Sequence, residues 1–252
     1  MAVPAYAGFV NGGFETGDFT GWTKNGGTFV DYGSGGVYTY SGDPGKSAIV
    51  SSGLDPLTNN NLNRVYSGNY AARVNNSDNN YHFSTISQTV TNWQDNNIYF
   101  AWAAVLEEPG NTHPENVAPN FSIKLHDDIT GVDIYSMEFN VYNAASTGIT
   151  WNNGYYDGYN TWKYNNWEVV ALDTSGVKGD TLSLTLLAAD CAWGGHGGYA
   201  YLDGFGAAPH SWYRPRTHYP GTAGTGHGRP GLHSAPQSLI RRNNFCRGGW
   251  SV

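Results

Sequence analysis

Charge is the first thing this chain is short of. Asp, Glu, Lys and Arg make up 13% of its 252 residues, whereas aromatic residues make up 15% and glycine occurs 34 times. No sustained apolar repeat runs at helical spacing, and long alanine, leucine, glutamate and lysine runs are missing, which argues against a helical bundle. The two cysteines, Cys191 and Cys246, make neither a disulfide framework nor a zinc pattern. Cys191 reads as a small buried residue rather than a nucleophile. No stretch approaches the ~20 apolar residues of a membrane-spanning helix. No Gly-x-Ser-x-Gly elbow and no His-x-x-x-His pair occurs, so two common hydrolase signatures are absent. Glu107 and Glu108 are adjacent, and neighbours on a strand point to opposite faces. They therefore do not make the carboxylate pair that glycoside hydrolysis needs.

Positive charge is scarce as well. Residues 1–208 carry all 20 acidic residues but only 7 of the 13 basic ones. Phosphate binding requires clustered positive charge, so a nucleic-acid groove is not expected in this acidic body.

What is present is a succession of short strands punctuated by Gly and Asn turns, the pattern of an all-β sandwich. TFVDY, VYTY and SAIVS are short strand candidates. In VYSGNYAARVNN, Val65, Tyr70, Ala72 and Val74 can share one face. FSTISQTVTNW is followed by IYFAWAAVLEEP, which is apolar on both faces: Phe100, Trp102, Ala104 and Leu106 on one, Tyr99, Ala101, Ala103 and Val105 on the other. A strand covered on both sides is central in its sheet. After it comes the loop EEPGNTHPENVAPN, and loops of this length are often functional. FSIKLHD, DIYSMEFNVYN and WEVVALDTSGVKGDTLSLTLLAAD supply further strands. The chain then reaches LLAADCAWGGHGGYAYLDGF, where one cysteine, one histidine and two aspartates crowd a glycine-rich turn.

Several of these segments resemble a known family. NGGFETGDFTGW and the Ser-Gly-Asn-Tyr-Ala segment beginning at Ser67 are similar to the opening of jelly-roll carbohydrate-binding modules with a galactose-binding-like fold. The Val105–Pro109 strand end, the His113-Pro114 loop and the closing DCAWGGHGGYAYLD resemble a secreted bacterial jelly-roll domain of surface-sorted proteins with PEP-CTERM anchors. The resemblance covers most of residues 9–206. One departure is Gly197, where that pattern has an aromatic residue. The resemblance implies a single antiparallel β-sandwich of jelly-roll type over residues 8–208. It also implies a structural calcium ion, for which Glu15 and Asp203 are the matching ligands, carboxylates being suited to this hard cation.

The two ends of the chain differ from its body. Ala5-Tyr6-Ala7 is a small-x-small site of the kind signal peptidase cuts, so residues 1–7 read as the remnant of a signal peptide. Residues 209–252 are rich in Pro, Gly, Arg and His, contain no acid, and lack the apolar periodicity to order themselves; a disordered basic tail is expected. If Pro220-Gly221-Thr222 is encoded CCC-GGA-ACC, reading one base later gives Pro-Glu-Pro, so the tail also reads as a frameshifted PEP-CTERM signal.

Two further groups stand out. Tyr155, Tyr156 and Tyr159, with Asp157 between them, are a candidate sugar platform if their rings are exposed: tyrosine offers an apolar face and a polar tip, and Asp and Asn can bond sugar hydroxyls. Trp162, Tyr164 and Trp167 belong to the same aromatic stretch; for them the alternative is a place in the core, the favoured reading for Trp167. Asp190, His196, His113 and Glu115 offer ligands for a transition metal or an acid–base pair; the alternative, which is favoured, is that they fix loops by hydrogen bonding. The expected function is non-catalytic: a monomeric, secreted or cell-surface protein that binds an extracellular polysaccharide or surface glycan, with calcium in a structural role. A purely structural matrix or adhesion module is the alternative, and a glycan-active hydrolase a more distant one.

Overall fold

The computed structural model describes residues 8–110 and 113–206. The expected signal-peptide remnant and the expected basic tail lie outside the described residues.

Among the described residues, thirteen strands form two antiparallel sheets. The first sheet has the order β2-β1-β5-β12-β7-β8, built from β1 (Thr23–Asp31), β2 (Gly36–Tyr40), β5 (His82–Val90), β7 (Asn120–Asp127), β8 (Val132–Phe139) and β12 (Leu182–Ala189). The second has the order β3-β4-β13-β6-β10-β9, with β11 also paired to β6. Its strands are β3 (Ala48–Ser51), β4 (Tyr70–Val74), β6 (Asn97–Glu108), β9 (Asn152–Tyr156), β10 (Thr161–Tyr164), β11 (Glu168–Asp173) and β13 (Gly198–Gly206). From β4 to β7 each successive strand changes sheet, and β12 and β13 do so again. The result is a β-sandwich of jelly-roll type.

The core lies between the sheets. Phe100, Trp102, Ala104 and Leu106 of β6 pack with Ile123 and Leu125 of β7 and with Leu182, Leu184 and Leu186 of β12, all buried. The opposite side of β6 is buried too. Ala103 and Val105 join Trp162, Tyr164, Tyr199 and Tyr201 in a second cluster, closed over by Leu57 and Leu62. β6 is therefore apolar on both faces for two different reasons: one face meets the other sheet, the second meets the segment before β4.

Two details depart from the sequence reading. Val65 is not in line with Ala72 and Val74, because β4 begins only at Tyr70, after a turn in which Gly68 has a φ of +77°. Trp167, the one of its aromatic stretch for which the sequence favours a core place, is only partly buried, whereas Trp162 and Tyr164 are in the core; the Trp167 indole Nε1 donates to the Asn63 carbonyl at 2.8 Å.

Candidate functional site

β13 has a different polar site at each end. At its N-terminal end, Glu107 is the last residue but one of β6, where Gly198 pairs with Leu106 and Trp162 pairs with Glu107. The Glu107 side chain is buried and bridges two loops. Its Oε2 accepts from the Gly197 amide at 2.9 Å, and its Oε1 accepts from Asn160 Nδ2 at 3.1 Å. Burial pushes its pKa up, against the pull of those two donors. Glu108 points the other way, to Lys163 Nζ at 3.1 Å. The two glutamates thus do not share a cleft.

Asn160 belongs to the turn between β9 and β10. Asp157 organises that turn: its Oδ1 accepts from the amides of Tyr159 and Asn160, each at 2.8 Å, the local bond that gives Asp its turn preference. Those amide bonds hold its carboxyl below the usual range. Tyr155 and Tyr156 at the end of β9 and Tyr159 in the turn are 47%, 60% and 92% exposed. Tyr156 is steadied by its hydroxyl, which donates to the Gly158 carbonyl at 2.7 Å.

The other loop bridged by Glu107 runs from Asp190 to Gly197. Asp190 is fully buried and accepts from Asn75 Nδ2 at 3.0 Å and the His82 amide at 2.9 Å. It binds structure on the β4–β5 side and is absent from the cluster that holds the neighbouring histidines. Glu115 is exposed and also outside that cluster. His113 and His196 do come together, their ring centroids 4.6 Å apart, and the third member is Cys191. Trp193, 45% exposed, lies against His113 with centroids 4.4 Å apart and donates from Nε1 to Asp31 at 2.8 Å. Sequence reasoning missed Glu107, which it considered only as a catalytic partner, and Trp193; an indole followed by two glycines in a loop was the available signal. Gly197 departs from the family pattern for a local reason. A Cβ there would lie 2.8 Å from the Ser77 carbonyl oxygen and 3.0 Å from the Trp162 ring.

At the far end of β13, Asp203 and Glu15 line a cleft of about 490 Å³ with Gly12, Gly13, Ser67 and Gly68. Asp203 Oδ2 accepts from the amides of Tyr66 and Ser67 at 3.0 and 2.9 Å. Glu15 accepts from the Asn69 and Tyr70 amides and from Asn69 Nδ2. Burial pushes the Asp203 carboxyl up to about 7; its amide donors oppose this and the Glu15 charge adds to it. A Cβ built on Gly13 would lie within 4 Å of both Glu15 Cγ and Asp203 Oδ1, so the two acidic side chains flank one glycine. The side-chain donors in this cleft are all oxygens, which fits a hard cation.

No protein-family model and no curated protein matches this sequence. Among solved structures, the chain is similar to the carbohydrate-binding module TmCBM61, solved in complex with beta-1,4-galactotriose, at 17% identity over 78% of this chain and 94% of that one, TM-score 0.43. It is similar to a family 11 carbohydrate-binding module from Clostridium thermocellum, in complex with a beta-1,3-1,4-mixed-linked tetrasaccharide, at 10% identity over 80% and 95%, TM-score 0.33. It is also similar to the enzymatically active domain of a tailspike protein of bacteriophage CBA120, at 13% identity over 77% of this chain but 20% of that one, TM-score 0.34. At identities and scores this low, the chain's own residues have to decide what it binds.

Proposed function

We propose that this protein is a non-catalytic, secreted or cell-surface glycan-binding protein whose sugar platform is the turn between β9 and β10. The observation that carries this reading is the joint exposure of Tyr155, Tyr156 and Tyr159 around Asp157. Tyr155 and Tyr156 are neighbours on β9 and lean to opposite sides of the strand, while Tyr159 stands on a turn locked by Asp157 and anchored through Asn160 to a buried glutamate; a turn fixed in advance lowers the ordering cost of binding. The divergent directions of Glu107 and Glu108 support the absence of glycoside hydrolysis at this end. A structural calcium held by Glu15 and Asp203 belongs to the same proposal; it would neutralise two acidic groups at the opposite end of β13 and play no part in sugar contact.

A glycan array probed with the full chain, with and without chelator, tests this. Binding to a polysaccharide that survives chelation and is lost in Tyr155→Ala/Tyr159→Ala is the expected result. Binding to no glycan would leave only a structural module, and release of reducing ends from a bound polysaccharide would overturn the non-catalytic reading.

A further inference from the structure

We infer that His113, Cys191 and His196 form a binding site for a divalent transition ion of the zinc class, which clips the loop after β6 to the loop before β13.

The three ligand atoms all lie within 4.8 Å of one another. Cys191 Sγ and His196 Nδ1 are 3.4 Å apart. Two ligands on a tetrahedral zinc, at ~2.3 Å for sulfur and ~2.0 Å for nitrogen, stand roughly 3.5 Å from each other. That pair therefore already has the spacing of one tetrahedral edge, and His113 has to close by only about 1 Å from the far limit to complete a face. One thiolate with two imidazoles is a borderline-soft set, which selects zinc or its transition-metal neighbours over calcium or magnesium.

A second observation comes from the backbone around the sulfur. The Gly195 amide donates to Cys191 Sγ at 3.3 Å, and the Gly194 amide closes the turn on the Cys191 carbonyl at 2.9 Å. An amide aimed at a ligand sulfur fixes the direction in which it points. The turn is tightly fixed: Gly194 has a φ of +76°, and a Cβ there would strike the Tyr81 ring at 2.4 Å. The two imidazoles meet edge to face, with ring centroids 4.6 Å apart.

Cys191 and His196 are five positions apart, and the clip ties that pair to His113, 78 and 83 positions earlier in the chain. Its position is independent of the sugar platform's chemistry, so failure of one proposal leaves the other standing.

Cobalt(II) reports this site directly, because a thiolate ligand gives a charge-transfer band in the near ultraviolet. The full chain, reduced and stripped of metal, is titrated with cobalt and then with zinc. The tail carries Cys246 and four histidines of its own, so Cys246→Ser is the control. The expected result is a band that saturates at one equivalent, persists in Cys246→Ser, vanishes in Cys191→Ser and is displaced by zinc. Cobalt affinity should fall by at least ~10-fold in His113→Ala and in His196→Ala, as ligand loss requires. Near-UV circular dichroism checks folding. If Cys191→Ser does not fold, the two histidine variants decide alone. No band in the folded wild type, a band lost in Cys246→Ser, or unchanged affinity in both histidine variants would overturn the assignment.

Discussion

Asp190 has no exposed surface, yet both its oxygens are engaged, one by Asn75 and one by the His82 amide. Burial outweighs those donors and raises its pKa to about 8. A carboxyl with a raised folded-state pKa binds its proton more tightly folded than unfolded. The stability it contributes is complete below the unfolded value near 4 and is lost as pH rises through about 8. Asp190→Asn removes this titration and sets an amide donor against donors, at a cost of about 1–3 kcal/mol. The expected outcome in metal-free buffer is that the stability gap between wild type and Asp190→Asn narrows from pH 5 to pH 9, measured by urea unfolding. A constant gap would show that Asp190 is ionised throughout. Tyr159 lies at the other extreme of burial, 92% exposed. Tyr159→Ala should leave stability within about 0.5 kcal/mol, as surface changes do. On the proposed platform it should weaken glycan binding about tenfold, equivalent to about 1.4 kcal/mol. Equal binding by the variant would remove Tyr159 from the platform.

At the level of elements, Glu107 shows what the sequence could and could not reveal. The strand it belongs to was legible: Tyr99 to Leu106 is apolar at every position, and only a central strand covered on both faces needs that. The Tyr155–Tyr159 segment was legible as a candidate surface, Asp and Gly lying beside large rings, but the exposure of those rings was not. What Glu107 does was not legible, because its partners Asn160 and Gly197 lie 53 and 90 residues away. The same holds for the second cluster: Leu57 and Leu62 cover β6 from an Asn-rich segment with no periodicity to betray it. Likewise Cys191 was read correctly as buried, but its meeting with His113 depends on how two loops dock. Glu107→Ala leaves the Gly197 amide without its acceptor and frees the β9–β10 turn, and an unsatisfied buried donor costs about 1–3 kcal/mol. Hydrogen exchange should accelerate at Gly197 and at residues 157–160 together, with β5 and β12 unchanged. Acceleration in only one loop would mean that Glu107 does not couple them.

For the molecule as a whole, the two ends of β13 divide the work: loops of distant origin meet at its start, and the chain's own opening meets its last strand at the other end. Phe9 packs on Phe205 with centroids 4.5 Å apart, and Phe14 and Trp22 are buried in the core. Glu15 then reaches the turn before β4 through three hydrogen-bond donors. That closure leaves two acidic side chains, Glu15 and Asp203, in one cleft, with the Glu15 charge opposing ionisation of Asp203. A calcium ion there would turn this repulsion into a clamp between the first segment and the last strand, and a ligand that binds only the folded state stabilises it by mass action. At a calcium concentration about 100 times Kd the gain is about 2.7 kcal/mol, roughly 5–10 °C in Tm for a domain of this size. The expected outcome is that calcium raises Tm by this amount in wild type, chelator reverses it, and Asp203→Asn abolishes the response. Gly68→Ala tests the same closure without touching a ligand: a Cβ there would lie 2.3 Å from Glu15 Oε1, at a φ of +77°. It should lower both Tm and the calcium response by displacing the Glu15 carboxylate. A Tm indifferent to calcium in wild type would leave Glu15 and Asp203 as acceptors for backbone amides only, and the closure would then rest on those hydrogen bonds and on Phe9, Phe14 and Trp22.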